Sequence, residues 1–257
     1  MRTFSYQATI LSVKHSGENN SRVTLLTKEE GIIYAILYGG PKSKLRSLVS
    51  PFNRGIAYIY KDELKKFSKI TDFDVKSYHP TFRENLFKSY AANFAGEILL
   101  KSKCAGSAEQ TFILYNALLD GMEASNENES KLGLLRFIWR YIDLLGVRPD
   151  SSCCCQCGKS FMQGKLNDES LDCWASYSEI ENGFICNDCL NNKIMPFCLS
   201  KKSLTYLEAV SVLKPKDVRN IAIDLSSMVE IKELCYSLVQ VACNTTFLSL
   251  QSGIGIL

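Results

Sequence analysis

C-C-C-Q-C-G at 153–158 and C-N-D-C at 186–189 decide how the rest of this chain is read. Cys154 with Cys157 and Cys186 with Cys189 form two C-x-x-C pairs at the ends of a short excursion. Each C-x-x-C turn brings two sulfurs to one side of a metal, and two turns complete a tetrahedron, the pattern of a four-thiolate zinc knuckle. A set of four thiolates leaves no open coordination position, so the spacing predicts one structural zinc ion and no catalytic metal. Gly158 follows the first pair and Gly183 precedes the second, where backbone freedom is needed. The 28 residues between the pairs (158–185) exceed the usual spacing of about 15–20, which predicts an insertion. Cys153 and Cys155 crowd the first pair; Cys154 is preferred because it alone gives the two-residue spacing to Cys157.

A redox dithiol would need one pair in a thioredoxin-like setting, and a disulfide framework would need an oxidising compartment. The start M-R-T-F-S-Y-Q-A-T-I has no apolar signal core, so a cytoplasmic location is expected. The eleven cysteines are therefore read as metal thiolates plus free thiols, with Cys104, Cys173, Cys198, Cys235 and Cys243 left without partner spacing.

Outward from the knuckle, charge is unevenly spread. The net charge is +3, but residues 1–78 carry +6 and the remainder −3. A basic N-terminal part points to a polyanionic partner. Residues 3–38 alternate β-branched and aromatic residues, broken at G-E-N-N (17–20) and K-E-E-G (28–31), and two further runs follow at 51–60 and 64–78. About five short strands with basic loops predict a small Greek-key barrel of the OB type. Such barrels track phosphates with Lys and Arg while bases stack on aromatic rings. The candidate DNA-binding residues are Lys14, Arg22, Lys42, Lys44, Arg46, Lys65 and Lys66, with Lys69 and Tyr34, Tyr38, Phe52, Tyr58, Tyr60 and Phe67 beside them. The segment G-G-P-K-S-K-L-R-S-L (39–48) reads as a basic loop with no packing purpose.

After His79-Pro80 the apolar period becomes helical. Helices are predicted over 82–103, 107–122 (Ser107 as N-cap), 131–145, 203–213, 216–228 and 229–250, with 126–130 a polar loop. The fold class is therefore α+β: an N-terminal barrel (1–79), then a helical domain (80–257) with a zinc-binding insertion at 151–195. The stretch from Leu234 to Leu257 has no charged side chain, but Gln240, Asn244, Thr245, Thr246 and Gln251 dilute it below a membrane span. No phosphate loop, nucleophile elbow or clustered His/Asp/Glu set is present, so no enzyme is expected.

In this order the parts resemble the bacterial recombination mediator RecO family. T-K-E-E-G at 27–31, G-G-P-K-S-K-L-R at 39–46, F-I-W-R-Y-I-D-L-L-G-V-R-P at 137–149 and Y-S-E-I-E-N-G-F-I-C-N-D-C at 177–189 carry the resemblance over residues 4–195. Ile138 stands where the family often has Glu, and the inter-knuckle linker is lengthened. The resemblance implies a non-enzymatic protein of DNA repair and recombination that binds single- and double-stranded DNA and anneals complementary strands. It also implies that, with the partner RecR, the protein promotes loading of RecA on DNA coated by single-strand-binding protein, whose acidic, apolar C-terminal tail docks on the helical part. Arg136 and Arg140 are the cations available for that tail. Another zinc-ribbon protein acting on RNA or in translation shares the barrel and knuckle, and an enzyme with a structural zinc shares the knuckle alone.

Overall fold

The computed structural model describes residues 2–39, 43–62, 64–162, 173–190 and 196–257. Five strands, β1 (Arg2–His15), β2 (Asn20–Thr27), β3 (Gly31–Tyr38), β4 (Arg54–Asp62) and β5 (Phe67–Ser77), close into a barrel in the order β1-β2-β3-β5-β4. Neighbouring strands are antiparallel except β3 and β5, which meet in parallel at Ile36 and Lys69. Strand alternation fixes the sides. On β3, Ile33, Ala35 and Leu37 point into the barrel with Ile10, Val23, Leu25, Ile59 and Phe73, while Tyr34 and Tyr38 point out.

Between β3 and β4 the chain forms a short helix, α1 (Lys44–Leu48). The second half of the presumed basic loop thus has a packing role. Leu45 and Leu48 rest on the barrel core and Val49 is buried in it, a plug hidden from the sequence by the interleaved Lys44 and Arg46.

A 3-10 turn (Pro80–Arg83) leads to α2 (Leu86–Ser102), α3 (Ala108–Glu123) and α4 (Glu127–Leu144). Each helix starts on a capping oxygen: Asn85 accepts from the Lys88 amide (2.9 Å), Ser107 from Gln110 (3.2 Å) and Asn126 from Glu129 (2.9 Å). The Asn126 cap turns the presumed polar loop at 126–130 into the first turn of α4. α3 covers β2 and β3. Thr9 Oγ1 donates to Asn116 Oδ1 (2.7 Å) in the buried seam, and the ring nitrogens of His79 face the Phe52 carbonyl (2.9 Å) and Asp120 Oδ1 (3.1 Å).

By packing, residues 1–134 with 246–257 form one compact unit and residues 135–245 a second. In the second, β6 (Ala175–Ser178), β7 (Gly183–Cys186) and β8 (Cys198–Leu199) form a sheet in the order β7-β6-β8, with α5 (Asn187–Leu190) after β7. Ser176 is the Cα partner of Cys198, and a disulfide joins Cys198 to Cys173, whose Cα lies 5.4 Å away. This corrects the reading of both as free thiols. The pairing depends on the register of a two-residue strand, which no spacing rule reveals.

Next come α6 (Lys201–Val212), α7 (Pro215–Val218) and α8 (Leu225–Cys243). The predicted boundary at 228/229 is not observed. Asp224 Oδ1 accepts from the Ser227 amide (2.9 Å) and starts α8, and Asn244, at φ 46°, ends it in a left-handed cap. A last helix, α9 (Leu248–Ser252), packs on α2 in the first unit. Phe247 is buried edge-on against Phe94 (5.3 Å between centroids). Glu97 accepts from the amides of Leu248 (3.0 Å) and Ser249 (2.9 Å) and from the Ser249 hydroxyl (2.6 Å). Among the described residues, no helix is long and apolar enough to cross a membrane.

Candidate nucleic-acid interface and metal centre

The barrel register sets the first site. Lys14 is the Cα partner of Arg22, Arg22 of Ile36, Ile36 of Lys69 and Lys69 of Tyr60. Partners across a ladder share a face, so one row crosses the outside of the barrel and carries three cations. Tyr34 and Tyr38 flank Ile36 two positions away on β3, with 59 % and 47 % of their surface exposed. Lys69 Nζ lies 5.2 Å from the Tyr60 ring centre, and Tyr38 lies 6.2 Å from Phe67.

The other candidates gather near this row. Arg46 on α1 places Nη2 3.3 Å from both ring nitrogens of His15, the neighbour of Lys14. Lys44 is exposed on the same short helix, and Lys65 and Lys66 are exposed in the turn between β4 and β5, just before Phe67. Lys42 lies outside the described residues. Phe52 is buried beside Phe82 rather than offered to a ligand.

Charge pairing separates this face from the rest of the barrel. Lys28, Arg54, Lys61 and Lys76 pair with Glu109, Asp120, Glu30 and Asp74. Among the described residues, Lys14, Arg22, Lys44, Lys65, Lys66 and Lys69 pair with no carboxylate. Unpaired cations alternating with exposed rings are what a single strand needs: charge for phosphates, flat faces for bases. Lys69, already a candidate in the sequence, takes its place in the row through the β3–β5 pairing.

The second site is the cysteine cluster. The sulfurs of Cys154, Cys157, Cys186 and Cys189 all lie within 4.8 Å of one another. Cys157 and Cys186 are 3.7 Å apart; a tetrahedron with metal–sulfur bonds of about 2.3 Å has an edge of about 3.8 Å. Gly158, at φ 72°, turns the first knuckle, and its N–H donates to the Cys154 carbonyl (2.9 Å). Gly183 serves differently: a Cβ there would meet Cys155 Cβ at 2.8 Å, so its lack of a side chain lets the knuckle close on β7. Cys155 itself is exposed and Cys153 faces Asp150 (3.5 Å), so neither joins the cluster.

Burial pushes the Cys154 thiol up, but the backbone N–H groups of Cys157, Cys186 and Gln156 outweigh it and bring it down to about 6. Hydrogen bonding with Cys157 and Cys186 raises Cys189 to about 12, and burial raises Cys186. Close-set thiolates repel one another, and a cation among them would offset that repulsion. The donor set fits a metal ion held by all four sulfurs.

The third group lies on α4. Arg136 is buried and Arg140 half-buried, so neither is an ordinary helix-surface charge. Arg140 Nε donates to the Val210 carbonyl (3.3 Å), while its Nη2 is buried without a hydrogen-bond partner among the described residues. Burial, then the neighbouring charges of Arg136 and Arg219, hold Arg140 below the usual arginine value. Arg219 was not anticipated; it stands 79 residues from Arg140 and no motif marks it. Val212 and Leu213 are exposed at the end of α6, directly after the strip that carries Val210.

Comparison with known proteins places the whole chain in one family. Residues 1–78 match the family described as recombination protein O N terminal, and residues 83–242 match recombination protein O C terminal. The chain is 26 % identical to the DNA repair protein RecO of Heliobacterium modesticaldum over 85 % of this chain and 77 % of that one. It is 26 % identical to the namesake of Shouchella clausii over 80 % and 78 % of the two chains. It is 23 % identical to that of Moorella thermoacetica over 90 % and 83 %. With a five-stranded barrel, a helical part and a four-cysteine cluster in this order, the chain belongs to the recombination protein O family of DNA repair proteins.

Proposed function

We propose that this protein is a recombination mediator. It binds single- and double-stranded DNA, anneals complementary strands and, with RecR, promotes RecA loading on DNA coated by single-strand-binding protein. It works without a chemical step of its own, in the bacterial cytoplasm at the nucleoid. The observation that carries this reading is the row of Lys14, Arg22 and Lys69 beside Tyr34 and Tyr38, free of carboxylate partners among the described residues. Residues 1–79 are the DNA-binding domain, with Lys42, Lys44, Arg46, Lys65 and Lys66 extending the phosphate track. Annealing needs only charge screening that lets two polyanions meet, followed by release of the product duplex.

The helical domain (80–257) carries the partner site. The cations Arg136 and Arg140 of α4, with Arg140 bonded to the Val210 carbonyl two residues before exposed Val212, suit the acidic, apolar tail of single-strand-binding protein. Cys154, Cys157, Cys186 and Cys189 hold one zinc ion. A zinc ion held by these four cysteines, two in the first knuckle and two in β7 and α5, would neutralise their thiolates in a structural role, with no position left for substrate.

The test is annealing of two complementary DNA strands pre-coated with single-strand-binding protein, followed by fluorescence across a salt series. Acceleration that fades as salt rises supports the mediator. No acceleration at low salt by the metal-loaded protein sinks it, and tight binding of RNA instead would favour the translation-factor alternative.

A further inference from the structure

A cleft of 640 Å³ lies between the loop at 47–53 and the segment at 78–89, lined by none of the cations of the row. Its size is that of a small-molecule site. Phe52, held at φ 69°, packs edge-on against Phe82 with 5.5 Å between ring centres, and Tyr78 stands open at the mouth with 55 % of its surface exposed. The strained Phe52 is fixed from both sides: its N–H donates to the Ile10 carbonyl (2.8 Å) and its carbonyl accepts from His79 Nδ1 (2.9 Å).

The polar groups of the cleft are mostly acceptors. Ser47 and Ser50 donate their hydroxyls to the carbonyls of Lys44 (2.7 Å) and Ser47 (3.2 Å), which leaves their lone pairs available. Asn53 donates Nδ2 to the Leu48 carbonyl (2.8 Å), and its Oδ1 has no donor among the described residues. Glu84 adds a carboxylate at the rim. Beside it, Arg83 and the Tyr78 hydroxyl have no hydrogen bond or ion pair among the described residues. An aromatic platform, several acceptors and one free guanidinium match a flat ligand that carries N–H donors and one phosphate.

We propose that this cleft takes a single unstacked nucleotide. The base lies on Tyr78, its N–H groups face Glu84 and Asn53, and its phosphate meets Arg83. A base with an exocyclic amino group is preferred, since the cleft has more acceptors than donors to satisfy. The inference rests on the DNA-binding reading but uses separate residues. On a bound strand, the cleft would hold one base out of the stack while the row holds the backbone.

The probes are deoxyguanosine, deoxycytidine and thymidine 5′-monophosphates, with deoxyribose 5-phosphate as the baseless control, followed through the Tyr78 ring signals by NMR. The expected result is saturable shifts with the first two, weaker ones with thymidine 5′-monophosphate and none with the control. Tyr78→Ala should lower nucleotide affinity roughly five- to a hundredfold. Arg83→Ala should weaken nucleotides but not the matching nucleosides, and Glu84→Gln should narrow the preference between bases. All three side chains are exposed, so the variants should melt with the wild type. Binding of the baseless control as tightly as of nucleotides, or no shift at Tyr78, overturns the proposal. If strands still bind with an unchanged salt slope, that failure belongs to the cleft alone. If nucleotides bind while no DNA strand does, the cleft stands and the mediator reading falls.

Discussion

Ile36 of β3 is the Cα partner of Lys69 of β5, the parallel contact that closes the barrel and carries the cation row from Arg22 on to Lys69. Neutralising Lys14, Arg22 and Lys69 together should remove three phosphate contacts. The slope of log affinity against log salt for a single strand should then fall by about 2. Lys28→Ala with Lys61→Ala is the control, because both lysines already pair with carboxylates. Anisotropy titrations of a labelled oligonucleotide from low to high salt read both slopes. Equal slopes for the triple variant and the control would remove this face from DNA binding.

Cys186→Ser should cost both metal and stability. Its sulfur lies 3.7 Å from Cys157, so the substitution removes one of four converging sulfurs from the centre of the cluster. Elemental analysis should find one zinc per wild-type chain and markedly less in the variant, with a lowered unfolding midpoint. A metal-free wild type with an equally stable variant would refute the zinc assignment.

Gly183→Ala tests the close approach of the knuckle to β7. The new methyl meets Cys155 Cβ at 2.8 Å. Overpacking of this kind costs about 1–3 kcal/mol. Adding Cys155→Gly should recover part of the loss in a urea titration. Full stability of Gly183→Ala alone would mean that the knuckle yields at no cost.

Asp224 caps α8 and gives a pH signature. Hydrogen bonds from the Ser227 amide and from the hydroxyls of Ser227 and Ser226 hold its carboxyl well below the usual range. A depressed folded-state value means that the stabilisation is fully present above the unfolded value of about 3.9 and is lost as pH falls towards the folded one. Asp224→Ala should therefore cost about 1 kcal/mol at neutral pH. The gap between variant and wild-type melting curves should narrow once pH drops below about 4. A gap that is constant from neutral pH into that window would show that the cap does not depend on charge.

Arg140 separates stability from binding. Among the described residues its Nη2 is buried without a partner, which offsets the loss of the Nε bond to Val210, so Arg140→Met should leave the fold about as stable as before. The same change should weaken an acidic tail peptide at least tenfold by calorimetric titration. A strongly destabilised variant that still binds the peptide would make Arg140 a structural residue only.

The parts legible in the sequence were those set by local chemistry. The C-x-x-C pairs gave four sulfurs that do converge, and β alternation gave the five strands of the barrel. Ser107 was recognisable as a cap because a helical period followed directly. Asn126 was not, because a polar first turn masked the start of its helix, and Asp224 was not, because a helix over 216–228 was read straight through it. What escaped depends on register and long-range contact. Lys69 joins Arg22 only through β3, Cys173 finds Cys198 only once β8 lies beside β6, and Arg219 acquires a role only beside Arg140.

The three hydrogen bonds from Leu248 and Ser249 to Glu97 also have a consequence for the order of folding. The barrel-bearing unit contains residues 246–257, which the ribosome makes only after the whole of the unit at 135–245. During synthesis the α2 surface around Phe94 and Glu97 must wait, uncovered, for its last neighbour. Domains generally fold as they emerge, yet this one cannot finish first, and the second unit has time to fold before the first is sealed.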